Sequence, residues 1–179
     1  MFHRSQRLLL RPIWPEDAQA LFAGIADEGV VRHLSRAPWP YEERHALELA
    51  MRPVEAAYPR FLITRARDAA VIGGIGINSL DPPGLVEMGY WIVRRHWGQG
   101  YATEAGAAML AIARALGHAE VRARHYLDNP ASGRVLRKLG FEPTGRTSER
   151  FSCGRGEAAP AMEYARILDG LCAEEQRAA

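Results

Sequence analysis

The segment Arg95-His96-Trp97-Gly98-Gln99-Gly100 joins a run that alternates like a strand, Val86 to Val93, to an alanine-rich run that reads as a helix from Tyr101. Glycines weaken regular structure, so a turn that spends two of them so closely needs bare backbone. Strand, glycine-rich turn and helix start together suit an anion. The first turn of a helix leaves N–H groups unpaired and carries partial positive charge, and glycines let a phosphate come close. Two nucleotide signatures fail here. A P-loop needs a lysine beside its last glycine, and the chain's only lysine is Lys138; a dinucleotide fingerprint needs a third glycine where Thr103 stands. A second reactive group sits on the preceding strand. Period-two alternation puts Glu87, Gly89, Trp91 and Val93 on one face, with Val86, Met88, Tyr90 and Ile92 opposite. A carboxylate among apolar neighbours is costly unless something uses or pairs it. Glu87 is therefore either a base or the partner of a nearby arginine.

These groups need a frame, and the chain supplies one in short elements. "QRLLLRP" reads as a first strand, and "PEDAQALFAGIA" as a helix opened by Pro15. "YEERHALELAMR" gives a second helix that ends before Pro53. "RFLITRA", "AVIGGIGI" and "LVEMGYWIV" form a strand meander broken by "RDAA" and "DPPG". After the glycine turn, "YATEAGAAMLAIARALG" is a helix closed by Gly117. "AEVRARHY" follows as a strand and "PASGRVLRKLG" as a helix, and "FEPTGRTSERF" and "APAMEYARIL" are placed to pair as a last hairpin. The order β–α–α–β–β–β–α–β–α–β–β predicts an α+β (mixed α/β) fold in one domain over 1–179.

A content of 47% hydrophobic and 25% charged residues is that of a globular protein, and no apolar run approaches a membrane span. The first residues lack an apolar stretch with a small-residue cleavage site, which makes the cytoplasm the expected location. Cys153 and Cys172 have no metal spacing and read as reduced bystanders. The six histidines show no HExxH pattern, so no metal is expected. Net charge is +2, yet residues 94–155 carry a local +6, enough to steer an anionic ligand. No aromatic–basic interleaving accompanies that charge, and nucleic acid is not an expected partner.

The spelling R-x-x-G-x-G at Arg95, Gly98 and Gly100, followed by Tyr101 and Ala102, resembles motif A of the GNAT superfamily of N-acetyltransferases, whose turn cradles the pyrophosphate of acetyl-CoA. "RLLLRPIWPEDAQALF", "EMGYWIVRRHWGQGYATEA" and "NPASGRVLRKLGFEPTG" are similar, in order and spacing, to the ribosomal-protein N-terminal acetyltransferase branch (the RimJ/RimL type), over most of the chain. That resemblance implies a central, mostly antiparallel sheet of about seven strands, flanked by about four helices and splayed at the cofactor. It implies acetyl transfer from acetyl-CoA to a primary amine by direct attack in a ternary complex. Such chemistry needs a neutral amine, a stabilised oxyanion and a proton for the departing thiolate.

Residue by residue, the resemblance assigns backbone N–H groups of Arg95, His96, Gly98, Gln99, Gly100, Tyr101 and Ala102 to the pyrophosphate, with Thr103 as a hydroxyl donor. Ile92 and Val93 would offer main-chain bonds to pantetheine and the acetyl oxygen; one such oxyanion donor is typically worth ~3 kcal/mol. Asn129 would bond the pantetheine arm, cap the helix begun by Pro130, or both. Arg134 and Lys138 either meet the adenosine phosphates or stand in solvent. Glu87 is the candidate base. Leu136 occupies the place where many members carry a tyrosine proton donor, which leaves Ser132 as donor and Tyr164 in reserve. Trp39, Tyr41 and Trp91 would line the acceptor groove, unless they are core. The acceptor is a peptide N-terminus or a small-molecule amine, and the assembly a monomer or homodimer. A non-catalytic acyl-CoA-binding regulator of the same fold is the alternative.

Overall fold

The computed structural model describes residues 1–53, 55–82 and 84–168. Cys172 lies outside the described residues. Strands β1 (His3–Arg4) and β2 (Leu8–Pro12) come first, then a 3-10 turn at Pro15–Asp17 and helix α1 (Ala18–Ile25). Helices α2 (Glu28–Val31) and α3 (Glu43–Met51) lead into β3 (Arg60–Arg65), β4 (Val71–Ser79) and β5 (Val86–Ile92). Helix α4 (Tyr101–Ala115) crosses to β6 (Glu120–Tyr126), and α5 (Pro130–Lys138) precedes β7 (Glu142–Ser152) and β8 (Glu157–Ile167). The expected meander, glycine-turn helix and final hairpin are all present. One strand and one helix exceed the expectation: β1 has two residues and α2 a single turn, too short for periodicity to reveal.

All described strands join one sheet in the order β1-β2-β3-β4-β5-β6-β8-β7. Every neighbouring pair is antiparallel except β5–β6, which is parallel. That pair holds register only at Val86↔Val121 and Glu87↔Arg122, and then the two strands part. The sheet is open at the place the sequence motif requires.

Main-chain direction follows from the ladder on the other side of β5. Leu80 N–H donates to Leu85 O at one end and Val93 N–H to Ile72 O at the other. Antiparallel pairing alternates, so Glu87, Gly89, Trp91 and Val93 aim their main-chain groups at β4. Tyr90 and Ile92 aim theirs into the opening.

Two cores flank the sheet. On one face α4 and α5 bury Met109, Ile112 and Leu136 against Ile63, Ile72 and Ile77. On the other, α1 to α3 bury Leu21, Ile25 and Ala46 against Leu62, with Trp91 packed alongside. Each layer removes a strip of apolar side chains from water, and the sheet between them becomes a rigid platform for the opening.

Candidate active site

A cavity of about 770 Å³ runs through the opening and reaches both faces of the sheet. Glu87, Gly89 and Trp91 line it on the α1–α3 side; Tyr90, Ser132 and Gly98 line it on the α4–α5 side. Its size suits a small-molecule site.

The glycine turn has the expected backbone. Gly98 and Gly100 take φ +73° and +79°, the left-handed region that side chains resist. No atom stands within 4 Å of where a Cβ on Gly98 would be. Gly100 is the N-cap of α4 without any side-chain cap, and the first helical bond runs from Glu104 N–H to Gly100 O. The N–H groups of Tyr101, Ala102 and Thr103 therefore have no backbone partner within the helix. Arg7 braces the turn: Nη1 donates to Gln99 O at 3.1 Å, and Nε to Glu104 Oε2 at 2.7 Å. Glu104 Oε1 also accepts from Arg7 N–H and Ser5 Oγ, each at 2.7 Å. Sequence reasoning gave Arg7 and Glu104 no role, because 97 residues separate them. His96, Tyr101, Ala102 and Thr103 line the cavity; Arg95 and Gln99 are exposed and do not.

One expectation at the end of β5 is corrected. Val93 does not offer its N–H to a ligand, since that group is spent on Ile72 O at 2.9 Å, and Val93 does not line the cavity. The available main-chain groups belong to Tyr90 and Ile92, although Ile92 O already accepts from Trp97 Nε1 at 2.6 Å. An N–H of Ile92 remains aimed into the opening.

Glu87 is paired. Its Oε1 accepts from Arg124 Nη1 at 3.0 Å and Arg150 Nη1 at 2.9 Å, and its Oε2 accepts from Arg150 Nη2 at 2.9 Å. The side chain is 14% exposed and still lines the cavity. Arg124 Nη2 also donates to Glu163 Oε2 at 2.5 Å, which extends the ion pairs across the sheet. The arginine partner that the sequence allowed for is thus real, and it is two residues rather than one. An ionised carboxylate accepts about four hydrogen bonds, so Oε2 keeps one position for a further donor.

Ser132 sits in the first turn of α5, where Asn129 Oδ1 accepts from Ser132 N–H at 3.2 Å. The N-cap role of Asn129 is observed, and its amide nitrogen is left for another contact. Ser132 Oγ lies 2.8 Å from the Tyr90 hydroxyl. Burial pushes that hydroxyl up to about 12, with the Ser132 hydrogen bond pulling weakly the other way. Tyr90 therefore stays protonated at neutral pH and can donate to Ser132. Alternation had placed Tyr90 on the right face without suggesting this contact. Tyr164, the reserve donor, is fully buried outside the cavity, with its hydroxyl accepting from Arg137 Nη1 at 3.1 Å. Arg134 and Lys138 are exposed along the cavity rim.

The acceptor aromatics divide. Trp91 lines the cavity beside Gly89, over which nothing stands within 4 Å of a notional Cβ. Tyr41 is 7% exposed and belongs to the α1–α3 core, though one edge reaches the cavity. Trp39 is a correction: it is 44% exposed and does not line the cavity. Among the described residues no cluster of histidine, cysteine or carboxylate side chains is arranged to hold a metal, and no helix is long and apolar enough to cross a membrane.

Residues 7–142 match the acetyltransferase (GNAT) domain family. The chain belongs to this family. It is 32% identical over 151 residues to "Uncharacterized N-acetyltransferase YoaA" of Bacillus subtilis (strain 168), across 79% of this chain and 82% of that relative. In structure it resembles a GNAT-family acetyltransferase from Bacillus anthracis, with TM-score 0.82 and 21% identity over 93% of this chain and 98% of that one. It likewise resembles RimL, a ribosomal L7/L12 α-N-protein acetyltransferase solved with coenzyme A, with TM-score 0.79 and 20% identity over 94% and 99% of the two chains. These GNAT folds share the mixed α/β architecture described above, and the protein is an acetyltransferase.

Proposed function

We propose that this GNAT acetyltransferase moves the acetyl group of acetyl-CoA to a primary amine, by direct attack within a ternary complex at the opening between β5 and β6. The observation that carries the reading is one cavity joining unpaired helix N–H groups, free main-chain groups of β5 and an open groove over Gly89. The N–H groups of Tyr101 to Thr103, with the bare Gly98 and Gly100, hold the pyrophosphate. Asn129 and the main chain of Tyr90 bond the pantetheine arm, and Ile92 N–H faces the acetyl oxygen as an oxyanion donor.

On the opposite face, Glu87 receives the amine through the remaining position on Oε2 and takes its proton, directly or through one water. Ser132 protonates the departing thiolate and is itself supplied by the hydrogen bond from Tyr90. The amine nitrogen bonds the acetyl carbon as the carbon–sulfur bond breaks, the proton held by Glu87 leaves to solvent, solvent restores the one given up through Tyr90 and Ser132, and no covalent acetyl-enzyme forms. A second reading of Glu87 is favoured by its three guanidinium hydrogen bonds: it holds Arg124 and Arg150 in place, and water takes the proton. The acceptor is a peptide N-terminus or a small-molecule amine, and the protein works as a monomer or homodimer.

Initial velocities at varied acetyl-CoA and amine test the reading. Direct attack gives intersecting double-reciprocal lines. Parallel lines, the sign of a covalent acetyl-enzyme, overturn it.

A further inference from the structure

The groove on the α1–α3 side ends in three arginines drawn from separate elements. Arg36 lies in the loop before α3, Arg52 is the C-cap of α3, and Arg60 opens β3. All three line the same cavity as Glu87, Gly89 and Trp91. Arg60 stands opposite Gly76, which stands opposite Gly89, so one cross-strand row leads from this guanidinium to the open floor. Two strand spacings cover roughly 10 Å, which the arginine side chain partly spans.

Among the described residues, none of the three makes an ion pair with a carboxylate. Arg60 Nη2 donates to Arg52 O at 2.9 Å and Pro53 O at 2.7 Å, which fixes the side chain against the end of α3 and leaves its other donors over. Burial, and then the charges of Arg52 and Arg36, hold the Arg60 pKa below that of a free guanidinium. The other titratable groups on this stretch of wall are His33, Tyr41, His45 and Glu48. Glu48 sits one turn before Arg52 on α3 without pairing to it. By contrast, Arg124 and Arg150 in the same groove are already answered by Glu87 and Glu163. Three guanidiniums with no carboxylate paired to them repel one another, Glu48 offsets only part of that charge, and a bound anion would relieve the repulsion.

We infer that the acceptor is a primary amine that also carries a carboxylate, which Arg36, Arg52 and Arg60 hold while the amine faces Glu87. This rests on the acetyl-transfer reading above and narrows its substrate. The carboxylate can belong to a small amino acid or to an acidic residue near a peptide N-terminus; the chemistry read by the arginines is the same.

The test uses thiol release from acetyl-CoA with matched acceptors. One arm pairs free amino acids with their amides, and the other pairs short C-terminally amidated peptides that differ by Asp against Asn or Glu against Gln after the first residue. In at least one arm the acid should exceed its neutral mate in kcat/KM by about tenfold or more, as charge-assisted bidentate contacts allow. The Arg36→Gln/Arg52→Gln double variant, which spares the structural bonds of Arg60, should bring that ratio close to one. Acceptors acetylated equally well with and without the acid overturn the inference, as does a preference that survives the double variant. If no amine is acetylated, the acetyl-transfer reading fails on its own, and the arginines are read separately. Titration of tryptophan fluorescence with N-acetylglycine against N-acetylglycinamide, and with the α-amide of N-acetylaspartate against that of N-acetylasparagine, should then show, in at least one pair, binding of the acid that the double variant loses; equal binding of both members of each pair, or of neither, overturns the inference.

Discussion

Glu87 carries three hydrogen bonds from two guanidiniums, and its replacement separates its two possible roles. Glu87→Gln keeps the shape and removes the charge. If Glu87 is the base, turnover falls ~10²-fold or more at pH 7 and partly recovers at high pH, where free amine accumulates in solution. Acetyl-CoA affinity stays near wild type, because the glycine turn is untouched. A pH–rate profile that runs parallel to wild type instead assigns Glu87 to holding Arg124 and Arg150. At the thiol end, Ser132→Ala should lower turnover by less than about a hundredfold, below the usual range for a general acid, because coenzyme A thiolate is already a tolerable leaving group. Tyr90→Phe should cost less than that, and nothing further once Ser132 is alanine, since Tyr90 acts through Ser132. Additive losses in the double variant would show that the 2.8 Å contact does not couple the two hydroxyls.

At the scale of elements, the turn before α4 makes the firmest demand. Gly100 has φ +79°, caps the helix and stands where the pyrophosphate would approach. Gly100→Val puts a branched side chain into a left-handed conformation, at a cost of roughly 1–2 kcal/mol, and into the ligand's space. Acetyl-CoA binding to the folded variant, measured by calorimetry, should weaken by at least about tenfold. An unchanged dissociation constant would remove the cofactor from this turn. The turn was legible in the sequence because its signals are local: an alternating strand, two glycines and a helix-forming run. The same holds for the meander and for α5, opened by Asn129 and Pro130. What stayed hidden is non-local or very short. Arg124 and Arg150 reach Glu87 from 37 and 63 residues away, and no spacing rule points to them. Val93 was assigned by the family resemblance, and which of two adjacent N–H groups faces the opening depends on how the strand pairs with its neighbour, which the motif does not state. Trp39 was placed in the groove from its position in the chain, and an exposed aromatic leaves no local mark that separates surface from groove.

For the whole molecule, hydrogen-bonded carboxylates, Glu104 across the chain and Asp17 locally, tie stability to pH. Burial pushes the Glu104 carboxyl up, but hydrogen bonds from Ser5, the Arg7 N–H and the Arg7 side chain outweigh it, and the net shift is downward. Asp17 behaves alike: burial opposes the bonds from Arg11 and the Trp14 N–H, and the net shift is again downward. Folded values below the unfolded ones contribute stability that is present above the unfolded pKa, near 4, and is lost as pH falls through the folded value. The urea midpoint should therefore hold near neutrality and drop in acid. Glu104→Gln, which loosens the first two strands from α4, should cost about 1–3 kcal/mol at pH 7. Its deficit should shrink below about pH 4, where the wild-type carboxylate is itself being protonated. A deficit independent of pH would mean that shape, rather than charge, holds that contact. The account as a whole stands on acetyl transfer through the opening in the sheet. Its most direct test counts the thiol released from acetyl-CoA against the acetylated amine formed, by mass spectrometry, across a panel of primary amines. The account predicts one thiol for each acetylated amine, and little of either at the same acetyl-CoA concentration with Gly100→Val. Acetyl-CoA bound without any amine acetylated, or transfer undiminished in that variant, would contradict it.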